Sequence, residues 1–191
     1  MRAALSAASG ARHGLPVWAI VSDQRVAHIE RVADVATRWA ERLSLPVPER
    51  DRWLRAVWLH DALRDASPDH LRRLVPDQPG PVALLHGPAA AVRAELAGES
   101  DPGVLAAIQH HSTGCAEWDA AGRMLYCADF LEPGRSFDRE ERAAMLGRFP
   151  EDPDGVLREV AIRRMTHLIR QGWPLNEAGR RFWNTVAWAS E

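Results

Sequence analysis

Apolar residues recur at every third or fourth position through most of the chain, the spacing that places them on one face of an α-helix. The clearest stripe is Val32, Val35, Ala36, Trp39 and Leu43, which predicts a helix over residues 22–43. His28 lies four residues before Val32 and so shares its inward face. Pro46 and Pro48 end that segment and open the next, over 49–64. There Trp53, Leu54 and Val57 lead directly into His60-Asp61. Ser67-Pro68 caps a short helix through residue 74, and a loop rich in Pro and Gly fills 75–81. Further helices are expected over 87–96, 102–111 and 119–131, the second opened by Asp101-Pro102 and stopped at Gly114. Glu132-Pro133-Gly134-Arg135 breaks the third. Residues 139–191 read as about three more helices, with turns near 150–153 and 172–174. Alternation of β-branched residues with period 2 is missing, so no strand is expected. The pattern predicts an all-α bundle of about eight helices.

Some polar residues interrupt this apolar pattern where they are costly. A histidine or aspartate placed among buried side chains needs a hydrogen-bond partner or a metal. His60-Asp61 is the plainest case, and His28, His86, His111 and Asp129 also fall at or near the ends of inward-facing helices. Any one of them could be an ordinary hydrogen-bonded core residue. Burying all six separately would need six independent sets of partners. A shared metal centre is the simpler reading. Six groups exceed the four of a closed zinc site, and imidazole with carboxylate but no thiolate suits iron or manganese. His13, His70 and His167 fit no such pattern and read as surface residues.

Composition narrows the picture. With 191 residues, 46% hydrophobic and 26% charged, the chain can bury a substantial core. Residues 1–16 lack a continuous apolar run and read as a partly ordered extension, with a single domain over 17–191. No apolar run approaches the ~20 residues that cross a bilayer. The formal net charge of −2 argues against a broad grip on nucleic acid. All 24 basic residues are arginine. Without lysine there is no Schiff base, and any permanently charged phosphate contact must be an arginine fork. Cys115 and Cys127 form no close pair, which argues against thiolate sites and disulfides and fits a reducing cytoplasm. The near-neutral charge and eight tryptophans leave a homodimer open.

The order His28, His60-Asp61, His86, His111, Asp129 resembles the HD superfamily of metal-dependent phosphohydrolases. Leu85-His86-Gly87-Pro88, His111-Ser112-Thr113-Gly114 and the run from Tyr126 through Asp129-Phe130-Leu131-Glu132-Pro133-Gly134-Arg135 are similar to one bacterial branch, the HD-type symmetrical diadenosine tetraphosphate hydrolases. Arg25 also matches, and the resemblance covers residues 25–137, the expected metal-site core. It implies a compact HD bundle with two divalent ions. His28, His60, Asp61 and Asp129 would hold one, and His86 and His111 the second, with Asp61 bridging. It implies attack at an inner phosphorus of a dinucleoside polyphosphate, giving two ADP. Arg25, Arg64 and Arg135 would bind phosphate oxygens, and Arg64 and Arg135 would also stabilise developing charge. His110 and Thr113 are further candidates for substrate contact.

Each of these assignments has a plainer alternative. Arg25 could pair with a carboxylate, Arg64 could cover apolar surface with its stem, and Arg135 could cap a helix. His110 could pack behind the ligands, and Thr113 could serve its own loop. The chain departs from the family at Arg64, where lysine is usual, and at Cys115, where an arginine often follows the glycine. An HD enzyme acting on mononucleotides or a signalling nucleotide, or a regulatory module without catalysis, remains an alternative. Trp118 is one of eight tryptophans that could stack on a base.

Overall fold

A computed structural model describes residues 14–188, and the expected N-terminal extension therefore lies outside the described residues except for 14–16. Nine α-helices occur among them, with no strand. They are α1 (Asp23–Arg42), α2 (Val47–His60), α3 (Pro68–Leu74), α4 (His86–Leu96), α5 (Pro102–His110), α6 (Ala120–Leu131), α7 (Arg139–Arg148), α8 (Pro153–Arg170) and α9 (Glu177–Trp188). A single 3₁₀ turn, Val82–Leu84, precedes α4.

Local chemistry sets most of the helix starts. Ser22 accepts a hydrogen bond from the Arg25 amide, and Ser67 from the His70 amide. Asp101 caps α5 through the amides of Gly103 and Val104, and Asp119 caps α6 through those of Ala121 and Gly122. The count exceeds the expected eight by one. The C-terminal stretch breaks twice, at the two turns expected there: Asp152-Pro153 starts α8, and Gly172, at φ +69°, turns the chain after it.

The expected helix over 49–64 is corrected at both ends. It begins at Val47 and stops at His60, with Asp61 in a non-helical conformation at its C-terminus. Turn hydrogen bonds from Ala62 to Leu59 and from Arg64 to Asp61 carry the chain onward.

Helices α2, α5 and α6 pack on one another; α1 lies across α2 and α6, α4 across α5 and α2, and α8 against α6. Ile29, Val32, Val57, Ile108, Met124 and Leu125 are fully buried where these helices meet. Trp39 stacks on Phe149 at 3.8 Å between ring centroids, fixing α7 to α1. No described helix is long and apolar enough to cross a membrane.

At the start of α5 and α6, Arg52 of α2 binds both capping aspartates. Its Nε donates to Asp101 at 2.6 Å and its Nη2 to Asp119 at 2.6 Å. One guanidinium thus ties together the N-terminal ends of two helices whose far ends carry His111 and Asp129.

Candidate metal centre

All six histidines and aspartates expected inside are buried, and they converge. His28 comes from the second turn of α1, and His60 and Asp61 from the C-terminal end of α2. His86 opens α4, His111 caps the C-terminus of α5, and Asp129 lies in the last turn of α6. Helix ends let side chains from five elements point into one space without unravelling any helix. Gly87 makes the approach of α4 to α5 close: a Cβ there would lie 2.9 Å from the Gln109 carbonyl oxygen.

Asp61 is the hub. Its Oδ1 is 3.1 Å from His86 Nε2 and 3.5 Å from His111 Nε2. Its Oδ2 is 3.6 Å from His60 Nε2 and 3.8 Å from His28 Nε2, and accepts a hydrogen bond from Arg25 at 2.7 Å. Two groups of candidate ligands share this one carboxylate: His28, His60 and Asp61, and Asp61, His86 and His111. Asp129 adds to the first, with Oδ1 3.1 Å from His28 Nε2.

The histidine backs show why these fronts are available. Nδ1 of His60 lies 2.7 Å from the Val57 carbonyl, that of His86 2.9 Å from Ala83, and that of His111 2.8 Å from Ile108. Nδ1 of His28 lies 3.2 Å from the Glu132 carboxylate. A carbonyl or carboxylate can only accept, so each Nδ1 carries the proton. Each Nε2 of the neutral ring is then a lone pair aimed inward. Nε2 of His28 and of His60 are buried with no hydrogen-bond partner, and Nε2 of His86 and His111 face each other at 3.0 Å. Lone pairs converging on carboxylate oxygens fit a cation, and the backing hydrogen bonds are those that orient metal-bound imidazoles. The residues therefore suit divalent metal, and no thiol contributes: Cys127 is buried within α6, where burial raises its pKa.

The electrostatics agree. Burial alone would push the Asp61 carboxyl up, but His60, His111 and His86 hold it well below the usual range. Burial likewise opposes ionisation of Asp129, and Arg135, His28 and Arg164 outweigh it. Burial carries the His60 imidazole down to about 4 despite Asp61 beside it, and also lowers His86. For His28 burial is the largest influence and lowers the pKa, yet Asp129, Glu132 and Asp61 together raise it. A centre whose two aspartates stay anionic while His60 and His86 stay neutral is one that takes up a cation.

The arginines expected at the site divide. Arg25 touches Asp61, and Arg135 donates to Asp129 Oδ1 at 2.6 Å and to the Asp129 carbonyl at 3.0 Å. Arg64 reaches the back of the site instead, donating to the Ala83 carbonyl at 3.1 Å beside His86 Nδ1. His110 is half-buried next to His111. The Thr113 hydroxyl is engaged in its own loop, with the carbonyls of His110 and Gly114. Trp118 is buried against Tyr126 and Phe182 and donates to the Ala106 carbonyl, so it is not a free stacking surface.

Four residues at the site escaped the sequence reading. Glu132 is buried, backs His28, and accepts from Arg31 Nε at 2.6 Å and from the Gly134 amide at 2.7 Å. Burial raises its pKa, but His28, Arg31 and Gly134 bring it down to about 2. Arg31 follows Arg25 and His28 at intervals of three, the spacing of one helix face. Arg142 is buried in α7 and donates to the carbonyls of Phe130, Glu132, Arg135 and Phe137, so it shapes the loop carrying Arg135. Arg164 of α8 donates to Asp129. An arginine on an otherwise apolar stripe was the available signal for the last two: Arg142 with Met145, and Arg164 with Val160, Ala161 and Met165.

Comparison with known proteins places this geometry. The family model for the HD domain matches residues 25–146. The Halalkalibacterium halodurans protein named symmetrical bis(5'-nucleosyl)-tetraphosphatase is 31% identical over 94 residues, 48% of this chain and 49% of that protein. A Staphylococcus aureus protein of the same name is 29% identical over 89 residues, 46% of each chain. These two matches span about half the length of either relative. A Bacillus subtilis protein, again of that name, is 23% identical over 163 residues, covering 81% of this chain and 85% of its own. A solved structure from Clostridium acetobutylicum, described as a "predicted HD superfamily hydrolase involved in NAD metabolism", superposes with a TM-score of 0.76 at 24% identity, covering 87% of this chain and 90% of that one. At that identity it shows a shared fold.

Proposed function

The chain belongs to the HD domain family, and on that premise we propose that it is a metal-dependent phosphohydrolase that splits diadenosine tetraphosphate symmetrically into two ADP. The observation that carries the reading is the division of Asp61, whose two oxygens face two separate pairs of histidine Nε2 atoms. His28, His60, Asp61 and Asp129 would hold one divalent ion, and Asp61, His86 and His111 the other. Such a pair supplies Lewis acidity and a nucleophilic water near neutral pH. Iron or manganese suits the imidazole and carboxylate donors.

The chain's own residues would supply the rest. Arg25 and Arg135 reach the ligand carboxylates at 2.7 and 2.6 Å, close enough for their remaining N–H groups to bind phosphate oxygens beside them. Arg64 would act from behind His86. His110 lies next to His111 and is the nearer candidate for substrate contact, because the Thr113 hydroxyl is already committed. The dinucleoside substrate comes from the names of the three curated relatives together with the element Asp129 through Arg135.

Product identity tests the proposal. With iron(II) or manganese(II), diadenosine tetraphosphate should yield ADP alone. AMP with ATP would contradict symmetric attack. Failure to turn over this substrate, with phosphate released from a mononucleotide, would assign the centre to a different nucleotide.

A further inference from the structure

Arg164 lies in α8, beyond residue 146 where the family match ends. It is half-buried, with its guanidinium carbon 4.3 Å from the centroid of the Tyr126 ring. Its Nη2 donates to Asp129 Oδ2 at 2.7 Å and to the Tyr126 carbonyl at 3.3 Å. Its Nη1 donates to the His111 carbonyl at 3.3 Å. One guanidinium therefore holds the side chain of one candidate ligand and the backbone of another, across the junction of α5 and α6.

Asp129 is constrained in a particular way. A free carboxylate can turn and offer either oxygen or both. Here Oδ2 accepts from Arg164 at 2.7 Å, while Oδ1 faces His28 Nε2 at 3.1 Å and accepts from Arg135 at 2.6 Å. Asp61 differs, because each of its oxygens faces a histidine pair. We propose that Arg164 is a positioning residue that restricts Asp129 to a single-oxygen, terminal ligand of the ion held with His28 and His60. The C-terminal helix α8 is then part of the metal centre. The inference rests on the two-ion reading above.

The test is calorimetric titration of the metal-stripped full-length protein with manganese(II), read as two separate affinities. In the Arg164→Met variant, affinity at the site using Asp129 should fall ~10–100-fold, the usual consequence of removing a ligand's outer partner. The site formed with His86 and His111 should lose clearly less, since Arg164 reaches it only through the His111 backbone carbonyl. Arg164→Lys keeps the charge but cannot reach both Asp129 and the His111 carbonyl; it should give a smaller loss at the same site. Equal affinities at both sites, with only a lower melting temperature, would overturn the inference. If Arg164→Met does not fold, an Arg164→Lys protein with unchanged affinities overturns it equally. An unaltered protein that binds no manganese would instead overturn the two-ion reading, and the inference with it.

Discussion

His86 Nε2 and His111 Nε2 lie 3.0 Å apart, and the Nδ1 of each ring is committed to a backbone carbonyl. Two lone pairs this close repel unless a shared proton or a metal ion lies at them. The rings come from different helices, so packing of α4 on α5 creates this demand. Replacing His111 with Ala should leave one ion per chain, held at the His28 side. Turnover should fall by more than the ~10–100-fold typical of losing an outer partner. Metal counting by mass spectrometry alongside an ADP assay checks both.

The approach of α4 to α5 depends on Gly87. A methyl group there would meet backbone oxygens of Ile108 and Gln109, which cannot swing aside. Gly87→Ala should destabilise the fold by ~1–3 kcal/mol and weaken the His86–His111 site before the His28 site. Urea unfolding and a manganese titration would show whether the two effects travel together.

Glu132 makes no approach to the ion positions other than through His28. It fixes the His28 tautomer and is itself fixed by Arg31 and Gly134. Glu132→Gln keeps the shape but removes the charge, and should weaken metal binding on the His28 side ~10–100-fold. A titration resolving the two sites should find the other little changed.

How much of this could be read from the sequence follows from the range of each interaction. Helix positions were legible because apolar spacing and caps such as Asp101 and Asp119 are local. The six candidate ligands were legible because polar groups on apolar faces stand out. The end of α2 was not, because Asp61 leaves the helix to meet groups from α1, α4 and α5. Arg142 and Arg164 were missed because their partners are backbone carbonyls and a carboxylate on distant turns. Trp118 was uninformative in sequence for the same reason; Tyr126 and Phe182 decide its environment.

The Arg52 clamp gives a stability prediction away from the metal site. Arg52, with help from the amides of α5, holds the Asp101 carboxyl down at about 2, below its ordinary value near 4. A carboxylate whose pKa is lowered by folding adds stability above its unfolded pKa and loses it as pH falls. Stability from this pair should therefore be complete above about pH 4 and decline toward pH 2. Arg52→Met should cost ~1–3 kcal/mol at pH 7 and flatten that acid decline. Urea midpoints measured from pH 6 to pH 2.5 in both proteins would show it.

Metal stoichiometry of the unaltered chain and of Asp61→Ala is the most direct measurement of a two-ion centre. Asp61 is the one carboxylate shared by both groups of candidate ligands. The two-ion centre predicts two manganese or iron ions per folded chain, and loss of both ions and of phosphohydrolase activity in Asp61→Ala, with its helical circular dichroism retained. A folded chain that takes up no divalent ion, or an Asp61→Ala protein that still holds two, would contradict it.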